Sequence, residues 1–142
     1  MTVLHSTFTL ERTYPAPPPR VFAAWADPVS KARWFAGPGA EHALDFRVGG
    51  QERVAKDGLR FEATYADITA DERIVYSGTM YAADRITTLS LTTVQFEKAE
   101  SGTKLVLTEQ GTYLDGQEHP TWREQGTGSW LDALVTELQA NS

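Results

Sequence analysis

The chain has 142 residues, 41% of them hydrophobic, enough for one domain with an ordinary core. It carries 13 Lys and Arg against 19 Asp and Glu, a net charge of −6, which argues against a phosphate backbone or an anionic membrane surface as partner. There is no cysteine, so disulfides, thiolate catalysis and Cys-based metal centres are excluded.

Residues 3–14 alternate, with Phe8, Leu10 and Tyr14 on one face and Thr7, Thr9, Glu11 and Thr13 on the other, the pattern of a half-buried strand. This opening has no basic-then-apolar signal pattern and no run of about 18 apolar residues occurs anywhere, so the expectation is a cytoplasmic protein without membrane insertion. Pro15, Pro17, Pro18 and Pro19 stop the strand, because proline cannot donate to a sheet ladder. A helix can start at Pro18 or Pro19, with Val21, Phe22 and Trp25 as its apolar stripe. Asp27-Pro28 opens a second short helix over residues 28–34, since Asp caps well and Pro suits the first helical position.

From residue 40 to 112 the period is mostly two. Leu44, Phe46 and Val48 alternate up to Gly49-Gly50, read as a tight hairpin turn. Further strands run over 51–55 and 59–68, joined at Asp57-Gly58, then over 73–82, 84–98 and 103–113. In the segment 73–82, Ile74, Tyr76, Gly78 and Met80 share a face. The last helix begins at Thr121, whose spacing to Glu124 fits a capping box, and Leu131, Leu134, Val135 and Leu138 repeat at helical spacing.

The order is strand, two short helices, six strands and a long helix: an α+β fold in which a curved antiparallel sheet of about seven strands is covered by the C-terminal helix. The whole chain, 1–142, reads as one domain. The stretches ERTYPAPPPRVFAAWADP (11–28), Trp34-Phe35 before Gly37-Pro38-Gly39, LDFRVGGQERV (44–54), KDGLRFEATYADITADERIVYS (56–77), TKLVLTEQGTY (103–113) and GTGSWLDALVTEL (126–138) cover nearly its full length. In order and spacing they resemble the helix-grip fold of the START-type, birch-pollen-allergen-like (SRPBCC) superfamily. Within it, the chain is similar to the family named for the C-terminal domain of the activator of the Hsp-90 ATPase.

The resemblance implies a cavity between the sheet and the last helix. That gives two readings for Gly126 and Gly128, each of which costs a helix interior roughly 1 kcal/mol against alanine. Either they relieve crowding where helix meets sheet, or they leave room for a ligand. The candidate lining is Trp34, Phe46, Phe61, Tyr76, Met80, Trp122, Gly126 and Trp130, with core packing as the alternative for each aromatic. Charged strand residues such as Asp45, Arg47, Arg53, Glu62 and Glu109 read as solvated cross-strand pairs, the alternative being that Arg47, Glu62 or Glu109 points into the cavity. His5, His42 and His119 lie in separate segments and read as surface or edge residues, so no metal site and no cofactor is expected. No catalytic motif occurs. The expected function is binding of a small apolar or aromatic molecule, as a monomer or homodimer, with no nucleic-acid partner. The family resemblance implies two alternatives: a co-chaperone-like protein-interaction module, and a cyclase-type enzyme acting on a polyketide-like or lipid-like substrate.

Overall fold

A computed structural model describes residues 2–140. Its strands are β1 (Val3–Tyr14), β2 (Glu41–Leu44), β3 (Gln51–Lys56), β4 (Leu59–Thr69), β5 (Arg73–Ala82), β6 (Arg85–Ala99) and β7 (Gly102–Leu114). Its helices are α1 (Pro18–Ala26), α2 (Pro28–Lys31), prolonged by a π-helical turn over Ala32–Ala36, and α3 (Pro120–Ala140). The strands form one antiparallel sheet in the spatial order β1-β7-β6-β5-β4-β3-β2, so β1 and β2 are its edges. With α3 laid across its inner face, this is the helix-grip fold.

Parity along the strands decides what is inside. Phe8 and Tyr14 of β1, Phe61, Ala63 and Tyr65 of β4, Ile74 and Tyr76 of β5, Val94 and Phe96 of β6, and Leu105 and Leu107 of β7 all turn to the inner face. Bulges at Ala66 in β4 and at Thr87 in β6, opposite Met80 and Tyr81 of β5, add local twist to the sheet. The lower half of α3 closes on this face with Leu131, Leu134 and Leu138, and Tyr14 donates its hydroxyl to the Leu131 carbonyl at 2.8 Å. α1 fills the end of the sandwich with Trp25, whose ring meets Trp34, Phe96 and Trp130 edge to face.

Several local readings are corrected. The second helix is not α-helical to residue 34. Asp27 caps it as expected, accepting from the Ser30 N–H at 3.1 Å, but after Lys31 the chain widens into the π turn. Gly49-Gly50 is not a two-residue hairpin turn either. β2 ends at Leu44, and residues 45–50 form a longer loop pinned to β4 by Gly49 N–H on the Tyr65 carbonyl, 2.8 Å, and Tyr65 N–H on the Gly50 carbonyl, 3.0 Å. At Asp57-Gly58 the two-residue turn is found as read, both residues having positive φ. α3 starts slightly earlier than the Thr121 box suggests. Pro120 takes the first helical position, and the His119 ring accepts from the Thr121 N–H at 3.1 Å in the capping role.

Candidate functional site

The upper half of α3 does not close on the sheet. Between them lies a pocket of about 230 Å³, lined by Phe35 of the π turn, Val54, Phe61, Tyr76, Met80 and Glu109 of the sheet, Glu118 of the β7–α3 loop, and Trp122, Arg123, Gly126, Thr127 and Trp130 of α3. A larger depression of about 440 Å³ beside the β3–β4 turn lies among the charged residues Glu41, Arg53, Lys56, Asp57, Arg60 and Asp84. The inner pocket combines apolar walls with a few convergent polar groups, the usual make-up of a small-molecule site.

The structure brings Phe61, Tyr76, Met80, Trp122, Gly126 and Trp130 together around this space. Trp34 and Phe46, named with them from the sequence, do not line it. Trp34 is buried one layer deeper, its indole N–H on the Ala24 carbonyl at 2.9 Å. Phe46 sits in the loop after β2, where its ring meets Phe22 and Tyr65. Trp122 stands 65% exposed at the rim, while Phe61 and Tyr76 are buried at the base.

The two glycines of α3 have different physical reasons. A Cβ on Gly128 would stand 3.1 Å from the Arg12 guanidinium, which passes beneath the helix from β1 to Asp132 at 2.7 Å. Gly128 therefore permits a close approach. A Cβ on Gly126 would meet no atom within 4 Å, because this residue is exposed at the rim of the pocket. Gly126→Ala is expected to raise stability by up to about 1 kcal/mol in urea denaturation, since alanine removes the helix penalty and fills only empty space. A loss of stability would show that the space is not empty.

The polar end of the pocket is a charged network. Arg123 donates from Nε to Glu109 Oε2 at 2.9 Å, from Nη1 to Glu118 Oε1 at 3.1 Å and from Nη2 to Ser90 Oγ at 3.2 Å. Thr92 donates to the other Glu109 oxygen at 3.0 Å, and Thr88 donates to Glu118 Oε1. Burial opposes the Arg123 charge, but Glu109 and Glu118 outweigh it and hold its pKa above the usual value. Burial, with Glu109 beside it, pushes the Tyr76 hydroxyl far above the usual phenol range, so it stays a proton donor. Of the strand charges considered from sequence, Glu109 turns inward, whereas Arg47 pairs with Asp45 and Glu62 with Arg53 and Arg60 near the surface.

Behind Phe35 lies a second buried cluster. Lys31 donates to Glu52 Oε1 at 2.8 Å, Tyr65 donates to the same oxygen at 2.8 Å, and His42 Nε2 lies 2.7 Å from Glu52 Oε2. The Lys31 ammonium is 4.5 Å from the Phe35 ring centre and 5.0 Å from that of Trp25. His42, read from the sequence as a surface or edge residue, does lie on the edge strand β2, but its side chain is buried against Glu52 instead of facing solvent. Burial would raise the Glu52 carboxyl, but Lys31 and the His42 and Tyr65 hydrogen bonds prevail and hold it at about 2. Lys31 is pushed below the usual ammonium range by burial, which its single carboxylate does not fully offset.

Arg123, Glu109, Lys31 and Glu52 are not marked as partners by the sequence, yet parity carries part of the signal. Glu52 stands two residues before Val54, and Glu109 two after Leu107, so each shares its neighbour's inward face. Arg123 lies on the same helical stripe as Thr127, Leu131 and Leu134. Among the described residues, no group of three or more His, Asp or Glu side chains could hold a metal ion.

The fold is shared with solved structures. The chain is 41% identical to an uncharacterised protein of Rhizobium leguminosarum, over 98% of this chain and 97% of that one, with a TM-score of 0.92. It is 45% identical to a Rhizobium loti protein, over 96% of this chain and 99% of that one, with a TM-score of 0.89. A Chromobacterium violaceum protein at 24% identity, covering 93% of this chain and 96% of that one with a TM-score of 0.78, shares the fold. No curated protein matches the chain. The family model for activator of Hsp90 ATPase homolog 1-like proteins matches residues 15–139, and the chain belongs to that family.

Proposed function

We propose that this protein binds a small apolar or aromatic molecule between the sheet and the first half of α3, in the cytoplasm and without assigned catalysis. The pocket of about 230 Å³ carries this reading, with Phe61, Met80, Trp122 and Trp130 as its walls. Its size limits the ligand. A cavity of about 150 Å³ holds benzene, and drug-sized ligands need about 300 Å³ or more. One or two fused rings suit this space better than a sterol, a long acyl chain or a multi-ring polyketide.

Native mass spectrometry of freshly purified protein, with a thermal-shift screen of one- and two-ring aromatics, tests the reading. A retained mass or a ligand-dependent rise in Tm is expected, because a ligand of the folded state stabilises it. Gly126→Leu, which extends a side chain into the same space, should stay folded and lose the shift. Absence of both signals across the panel would count against the reading and favour a protein partner at the surface.

A further inference from the structure

The charges around the pocket define its ligand more narrowly. Glu109 and Glu118 bring two negative charges and Arg123 one positive, so the polar end of the pocket carries a net charge of −1. Each nitrogen of the guanidinium already donates to a protein oxygen. A ligand carboxylate reaching for Arg123 would have to displace Glu109 or Glu118 and lie beside the one displaced.

The carboxylates are differently committed. Glu109 is almost fully buried, with Arg123 on one oxygen and Thr92 on the other. Glu118 takes Thr88 and Arg123 on Oε1, while its Oε2 accepts no hydrogen bond among the described residues. Its side chain is 21% exposed, placing it where the pocket meets solvent. The walls suit the same charge. Phe61 already holds a cation against its ring, with the Arg123 guanidinium 5.6 Å from the ring centre, and Trp122 and Trp130 add two indole faces, the strongest ring type for a cation. Behind them, Lys31 is matched by Glu52 and adds no net positive charge to this end.

We propose that the pocket takes a small aromatic or apolar amine in its protonated form, its ring against Phe61, Trp122 and Trp130 and its ammonium toward Glu118. This rests on the binding role proposed above and adds the sign of the ligand's charge.

Three indoles of equal ring size separate the two claims: tryptamine, a cation at neutral pH; tryptophol, neutral; and indoleacetate, an anion. Isothermal titration calorimetry at neutral pH and low salt should place tryptamine about tenfold tighter than tryptophol, a ratio within the range for a partly desolvated cation on aromatic rings, with indoleacetate weakest. Glu118→Gln keeps the acceptor for Thr88 and Arg123 but removes the extra charge. It should bring tryptamine to within about twofold of tryptophol measured on the same variant, in a protein whose circular dichroism matches the parent. Tryptophol or indoleacetate binding as tightly as tryptamine would overturn the charge assignment and leave the binding role standing. An undiminished tryptamine preference in Glu118→Gln would overturn the placement of the ammonium. Failure of all three indoles to bind would remove the binding role together with this inference.

Discussion

Lys31→Met is expected to cost about 3–5 kcal/mol in urea denaturation, a large share of the roughly 5–15 kcal/mol that holds a domain folded. The Lys31 and Glu52 side chains are 1% and 2% exposed, so the substitution leaves a carboxylate in the interior with only His42 and Tyr65 to stabilise it. The penalty lies in the stranded charge more than in the lost attraction. Lys31→Met combined with Glu52→Leu should therefore recover most of it, because well-packed apolar groups often replace a buried ion pair at little net cost. A loss under about 1 kcal/mol for Lys31→Met alone would mean that water reaches Glu52. The same pair governs acid stability. The Glu52 pKa falls from 4.5 to about 2 on folding, so the unfolded chain takes up its proton first as the pH drops. Its stabilising contribution, on the order of 3 kcal/mol, is complete above pH 4.5 and is lost as the pH falls towards 2. Glu52→Gln should flatten the stability profile across that window, and an unchanged slope would refute the assignment.

Trp25→Ala should lose about 3–5 kcal/mol, the range for removing a buried Trp, and Trp25→Phe distinctly less. Trp25 is fully buried, and its ring lies 4.9 Å from Trp34, 5.8 Å from Trp130 and 5.0 Å from the Lys31 ammonium. The substitution opens a cavity beneath two neighbouring rings. Trp130 is also a wall of the ligand pocket, so it gains freedom to tilt away from it. Ligand affinity should fall in Trp25→Ala even under conditions where the protein remains folded, and thermal shift with the best small-aromatic ligand measures this. Unchanged affinity would show that Trp130 is held by Phe35, 5.0 Å away, without help from Trp25.

The difference between what can and cannot be read from the residues has a physical basis. Period two announces a strand wherever one face meets a core and the other meets water, and β1, β4, β5 and β7 meet that condition. The start of α3 is harder to place because two signals compete within a few residues: Thr121 and Glu124 fit a capping box, while Pro120 suits the first helical position. The Pro signal wins because His119 supplies the cap. For the site, apolar and aromatic residues on inward strand positions mark Phe61, Tyr76 and Met80, while Phe46 is carried out of reach because β2 ends early. The ion pairs Lys31–Glu52 and Arg123–Glu109 join separate elements of the fold. Parity can turn the carboxylates inward, but only the packing of α2 and α3 on the sheet supplies their cations.

The π turn at Ala32–Ala36 also bears on how the chain tolerates changes of length. A wider turn takes one more residue than an α-helix would over the same path, and it lets the consecutive residues Trp34 and Phe35 both face inward, one into the core and one onto the pocket. Deleting one residue there would return the segment to α-helical winding over the same path and remove the extra residue that lets both rings face inward. The hairpin tip at Gly58 is different, since the space beside it is open. Insertions belong at that tip, whereas the five residues of the π turn set the spacing between the Lys31 cluster and the pocket.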